Sequence, residues 1–293
     1  MCKGQVVTIA WVLLCFALAL LTGCQNHTRQ TEDHPRFPPN VAIRDVAFHS
    51  AALNREMTYR VFLPANFPKD QKLKTVYLLH GGGGGFRDWS NYSGVAIYAS
   101  AGMLLVMPEG NSSYYTNSVE HPEDRYEDYI VNDLISDVEN RFPVFCSREA
   151  RAIVGVSMGG FGAVKLAFHH PELYAFVGAL SPAVDVPTRP FSVKRIVQWQ
   201  FHSSIFGPAG SATRHDNDPF ALARSANPDR LPYFYIVCGD QEGLLAANKK
   251  FAELLDSRHI RHEFNVVTGG HNWAQWDNDV AGLFEGLEAH LFR

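Results

Sequence analysis

One short run in the 293 residues joins a reactive side chain to the backbone it would need. Gly155-Val156-Ser157-Met158-Gly159-Gly160 matches G-x-S-x-G, with the apolar run Ala152–Val156 leading in and a helical stretch from Gly159 to His169 leading out. Set between a strand and a helix, this pattern makes a sharp bend that presents the serine hydroxyl and tolerates only small neighbours. Gly155 and Gly159 meet that demand, and Gly160 and Gly162 would let the helix approach the sheet. The chemistry open to such a hydroxyl is attack on an acyl carbon, provided a base takes its proton.

On this kind of bend the acid and then the histidine follow the serine. The later histidines are His169, His170, His202, His215, His259, His262, His271 and His290. His271 stands in the glycine-bearing loop Thr268-Gly269-Gly270-His271-Asn272-Trp273, after the last apolar strand and before the last helix, where an imidazole can overhang a sheet edge. His169 and His170 end the helix beyond the serine and are expected to face solvent, and His259 and His262 flank charged residues and are expected to be solvated. For the acid, Gly239-Asp240-Gln241-Glu242-Gly243 offers both Asp240 and Glu242, and chemistry alone does not choose between them. An oxyanion needs preorganised N–H donors. One is expected from Met158, the other from the loop His80-Gly81-Gly82-Gly83-Gly84-Gly85, whose glycines let backbone come close to a carbonyl. A phosphate cradle would need a following Lys-Ser/Thr, which is missing, and His80 itself reads as a structural loop residue. No HExxH, CxxC or carboxylate cluster at metal-ligand spacing occurs, so neither a metal nor an organic cofactor is expected.

The elements that must hold these groups alternate. Val41–Ala51 and Met57–Leu63 read as an opening hairpin. Thr75–Leu79, Met103–Met107, Ala152–Val156, Phe176–Leu180 and Tyr233–Cys238 are continuous apolar runs, the mark of parallel strands covered on both faces, with Glu263–Val267 as the last strand. Helical spacing runs over 128–141, 159–169, 248–258 and about 276–291. The expected fold class is α/β, a mostly parallel central sheet flanked by helices on both faces. Residues 185–226 carry no strand-like run and read as a cap-like insertion over the cleft, with Trp89, Tyr115 and Trp273 as candidate wall residues.

A net charge of −4 with 46% hydrophobic residues suits a globular protein acting on a neutral or small organic substrate; nothing suggests a nucleic-acid partner. Residues 1–23 read as an export signal: Lys3, then the apolar run Val6–Leu21. Leu21-Thr22-Gly23-Cys24 resembles a bacterial lipobox, which implies lipidation of Cys24, anchoring to a membrane and an extracytoplasmic location. Residues 24–40 read as a flexible tether and 41–293 as the folded domain. Cys146 and Cys238 would sit at opposite ends of their strands, too far apart to bridge, and are expected as small buried side chains.

Taken together, Leu78-Leu79-His80-Gly81-Gly82-Gly83, Val106-Met107-Pro108-Glu109-Gly110, Tyr126-Glu127-Asp128-Tyr129-Ile130, Gly155 to Gly162, Cys238-Gly239, Gly243-Leu244-Leu245 and Gly270-His271-Asn272-Trp273 resemble the esterase D family. That family holds S-formylglutathione hydrolases, tributyrin-type, feruloyl and acetylxylan esterases, and mycolyltransferases. The resemblance implies an α/β-hydrolase fold and a serine carboxylesterase working through an acyl-enzyme on a small-molecule or glycan-linked ester. It places the family's Cys-Gly-Thr-x-Asp-Gly aspartate on Glu242 and its threonine on Asp240, a departure from Asp to Glu. It also implies Gly82 as the second oxyanion donor. Acyltransfer, feruloyl or acetylxylan specificity, and a catalytically inactive surface lipoprotein on the same scaffold are the alternatives.

Overall fold

The computed structural model describes residues 32–68 and 70–291. The export signal, Cys24 and the first part of the tether lie outside the described residues. His34–Arg293 is one compact unit that holds every described strand and helix and the whole described core.

Eight strands form a single sheet: β1 (Val41–Ser50), β2 (Arg55–Pro64), β3 (Lys74–Leu79), β4 (Met103–Pro108), β5 (Arg151–Val156), β6 (Phe176–Leu180), β7 (Tyr233–Gly239) and β8 (His262–Val267). Their order is β1-β2-β4-β3-β5-β6-β7-β8. The hairpin β1–β2 and the β2–β4 pair are antiparallel; all other pairs are parallel. The apolar runs are continuous because alternate side chains enter two separate cores. In β3, Tyr77 and Leu79 pack on one side while Val76 and Leu78 pack on the other; in β4, Leu104 and Val106 oppose Met103, Leu105 and Met107.

The helices are α1 (Asp88–Tyr92), α2 (Tyr126–Asp128), α3 (Ile135–Arg141), α4 (Met158–His169), α5 (Ile196–Phe206), α6 (Ala212–Asp216), α7 (Pro219–Ser225), α8 (Leu245–Ser257) and α9 (Trp273–Leu291). One core takes residues of α3, α4 and α8, the other those of α1 and α9, so both faces of the sheet are covered. The stretch expected as one helix over 128–141 contains a π-helical turn, Tyr129–Leu134, joining α2 to α3. Insertion 185–226 is folded: α5, α6 and α7 arise there, and Val186, Ile205 and Phe206 build a small third core with Phe161 of α4 and Ala183.

Several expectations need correction. The described end of the tether is held on the domain, not free. Arg36 pairs with Asp277 at 3.2 Å, its N–H donates to the Ser90 carbonyl, and Phe37 packs against Phe62. Trp89 and Tyr115 are core residues, each with a hydrogen-bonded polar tip (Trp89 to the Leu79 carbonyl, Tyr115 to that of His80), so neither walls a cleft. Gly162 clears the Tyr115 ring and not the sheet: a Cβ there would meet that ring at 2.5 Å. Both cysteines are unpaired; Cys238 is buried, but Cys146 is exposed because it sits ahead of β5 at the sheet's rim.

Candidate active site

The bend after β5 is built as its glycines require. Ser157 has φ 54° and ψ −112°, a conformation hard for any residue with a side chain. Its carbonyl accepts from the N–H groups of Phe161 and Ala183, and its own N–H donates to the Leu180 carbonyl, so the backbone is pinned on three sides. A Cβ on Gly159 would lie 2.3 Å from the Leu79 carbonyl oxygen, and one on Gly155 would lie 2.2 Å from the Gly159 carbonyl. The turn therefore closes only with glycine at both positions.

The structure brings Ser157, His271 and Glu242 together in line. His271 Nε2 lies 2.8 Å from Ser157 Oγ, and Nδ1 lies 2.8 Å from Glu242 Oε2. The three come from the C-terminal ends of β5, β7 and β8, where a parallel sheet opens its crevice. The Glu242 side chain is fully buried while the imidazole is about a third exposed, so the carboxylate is shielded and the imidazole is open to solvent. Burial pushes the Glu242 carboxyl upward, but hydrogen bonds from His271, Ser181 and the Gly239 N–H outweigh it and leave the group below the usual range. The same buried carboxylate, after burial itself, helps push the Cys238 thiol up to about 12, so Cys238 is a buried thiol and not a nucleophile.

Asp240 takes no part in this line. It is exposed, and its Oδ1 accepts from the Gly269 N–H at 3.0 Å, which ties the β7 loop to the loop that carries His271. Ser181 has no counterpart in the sequence reading. It follows β6 with φ 49°, donates to Glu242 Oε1 at 2.6 Å and accepts from Trp276 Nε1 at 3.0 Å. It fixes which way the carboxylate turns.

The glycine loop after β3 lies against this bend. A Cβ on Gly81 would be 3.6 Å from Ser157 Cβ, and one on Gly82 would be 3.9 Å from Met158 Cβ. Met158 opens α4, where N–H groups have no intrahelical carbonyl to serve. His80 is buried and pins the loop: Nδ1 lies 2.8 Å from the Gly81 carbonyl, and Nε2 accepts from the Gly110 N–H at 2.9 Å. Beside the site, Trp199, His202 and Asp185 of the insertion line a cavity of about 480 Å³ with Gly243 and Leu244, next in the chain to Glu242. His202 is pushed down to about 4 by burial and by Arg189 and Arg214, and so faces that cavity as a neutral ring near pH 7.

His169 and His170 do not simply face solvent. His169 Nδ1 and His170 Nε2 lie 2.8 and 2.9 Å from Glu127 Oε1, while Oε2 accepts from the fully buried Lys165 at 2.6 Å. Burial opposes the charge on Glu127, but Lys165 and the two imidazoles hold its carboxyl far below the usual range. This cluster ties α2 to α4, the helix that begins at Ser157. His262 is also covered, its side chain 8% exposed, whereas His259 is exposed.

The esterase family described as "Putative esterase" matches residues 50–286. The chain belongs to this esterase family. This esterase is 27% identical over 262 residues to an acetyl esterase of Caldicellulosiruptor saccharolyticus, a match covering 84% of this chain and 98% of that one. Its structure is similar to FphF, a fluorophosphonate-binding serine hydrolase of Staphylococcus aureus, at 26% identity and a TM-score of 0.72, with 84% and 98% of the two chains covered. It is also similar to an S-formylglutathione hydrolase of Staphylococcus aureus, at 25% identity and a TM-score of 0.70, with the same coverage. The esterase is thus a carboxylic-ester hydrolase of the α/β-hydrolase fold.

Proposed function

We propose that this esterase cleaves carboxylic esters by a Ser157–His271–Glu242 triad through an acyl-enzyme. The observation that carries the reading is the pair of 2.8 Å contacts that run from Ser157 Oγ through both nitrogens of one imidazole to a buried carboxylate. In this reaction His271 Nε2 takes the hydroxyl proton as Ser157 Oγ attacks the ester carbonyl. Glu242 holds the ring with Nδ1–H toward itself and stabilises the imidazolium that forms. The N–H groups of Met158 and Gly82 receive the oxyanion. His271 then gives its proton to the departing alkoxide, and a water activated by the same nitrogen releases the acid. The intact line of groups speaks against an inactive scaffold.

A fluorophosphonate probe tests the reading. We expect one covalent adduct, on Ser157, together with hydrolysis of short-chain nitrophenyl esters, and loss of both in Ser157→Ala. A folded wild-type chain that neither labels nor turns over would overturn the proposal. The exported, lipidated form is part of the same proposal and rests on Lys3, the apolar run Val6–Leu21 and the lipobox-like Leu21–Cys24; palmitate labelling that survives Cys24→Ser would refute it.

A further inference from the structure

Helix α5 is apolar on two opposite sides. Ile205 and Phe206 turn inward to the third core, and the buried His202 lies on the same side. Ile196, Val197 and Phe201 share one side of the helix and face out at 43, 76 and 40% exposure, and Phe191 and Val193, in the turn that leads into the helix, are exposed at 55 and 74%. A helix apolar all round belongs in a core or an apolar phase. Here one side is packed and the other is bare, with Gln200 among its exposed apolar residues, and a group of exposed apolar side chains of this kind marks an interaction surface.

The charges around it narrow the partner. From Arg189 to Phe206 the chain has three cations and no carboxylate, although the whole protein carries −4. Arg189 is paired with Asp185, but neither Lys194 nor Arg195 has an ion-pair partner among the described residues. An isologous contact with a second copy would bring Lys194 and Arg195 of both chains together with no acid on α5 itself to offset them; the exposed Glu120, whose N–H donates to the Ser204 carbonyl, lies at the other end of the helix. An anionic lipid surface meets both properties: it takes the apolar side chains below the headgroups and pairs the cations with phosphate. Trp199, from the flank of the same helix, reaches the cavity beside Glu242.

We infer that the outward face of α5 is an interfacial surface that seats the domain on anionic membrane. This contact is separate from any N-terminal anchor and does not rest on the proposed mechanism. It would bring the cavity lined by Trp199, His202, Gly243 and Leu244 toward the level of the headgroups.

The test uses the compact unit starting at His34, which lacks the N-terminal apolar run. Sedimentation with mixed phosphatidylglycerol–phosphatidylcholine vesicles should show binding that fades in pure phosphatidylcholine and weakens with salt. Val193→Asp with Val197→Asp changes only exposed side chains, so it should keep hydrolysis of a soluble short-chain ester while losing vesicle binding at least tenfold. Lys194→Gln with Arg195→Gln should weaken binding to the mixed vesicles by about thirtyfold, the worth of two basic residues near such a surface. Failure of the wild-type unit to bind mixed vesicles would overturn the inference. So would equal binding by the Asp variant, or a concentration-dependent dimer that the Asp variant abolishes.

Discussion

At the residue scale, Glu242 and Asp240 sit two positions apart in one loop and do different work. Only Glu242 is buried and aimed at His271; Asp240 reaches the backbone of Gly269. Glu242→Gln keeps the shape but removes the charge that supports the imidazolium, so kcat should fall by about 10⁴. Asp240→Asn keeps an acceptor for the Gly269 N–H and should change kcat by no more than a few-fold. Steady-state kinetics on one soluble ester checks both, and equal losses would return Asp240 to candidacy. Ser157 and His271 were legible because a motif fixes the one and loop position fixes the other. Glu242 became legible only through family resemblance, since two carboxylates in one loop look alike until burial separates them. Ser181 carried no motif. Its role follows from β6 lying next to β7, which no local sequence signal states.

At the scale of elements, the continuous apolar runs announced the strands to within a residue or two, because burial on both faces leaves nothing polar to blur their ends. The helix over 128–141 was legible as a helix, but its π-helical turn was not, since Ile130, Leu134 and Val138 fit ordinary helical spacing. That turn leads out of α2, whose Glu127 meets Lys165, His169 and His170 of α4, the helix that follows Ser157, and its C-terminal cap. The partners lie about forty residues apart in sequence, and the two histidines looked solvated because only their place at a helix end was visible. Glu127→Gln would leave the Lys165 ammonium buried without its counter-charge, and the expected cost is about 3–5 kcal/mol of stability. Urea unfolding measures it. Double replacement of Glu127 by Gln and Lys165 by Met should recover a large part of that loss, whereas no recovery would mean the pair is not the cause.

For the molecule as a whole, acid stability draws on its depressed carboxyls, among them the buried Glu127 and Glu242. Glu127 and Glu242 both lie below the usual range when folded, so their contribution is fully present above the unfolded-state value near 4.3 and is lost as pH falls through the folded values. Unfolding free energy should therefore hold steady in this respect above about pH 5 and decline below about pH 4. A denaturation series across that window checks the sign, and stability that rises toward acid would contradict it. The expected α/β architecture was legible throughout because strand and helix alternate so regularly. The packed state of the insertion was not, because its apolar residues find partners in α4 and after β6 that only the fold supplies.

The hydroxyl of Ser157 and the ring of His271 are separated by 114 positions along the chain. On the proposed mechanism, a chain emerging from the ribosome displays its serine long before the residue that would arm it exists, and a fragment ending ahead of β8 should be chemically harmless. Activity should then switch on only when the C-terminal part docks. Cutting at the exposed Pro208–Gly210 stretch should give two inert pieces, and mixing them under folding conditions should restore ester hydrolysis. Turnover by the N-terminal piece alone would show that the distance in sequence is no safeguard.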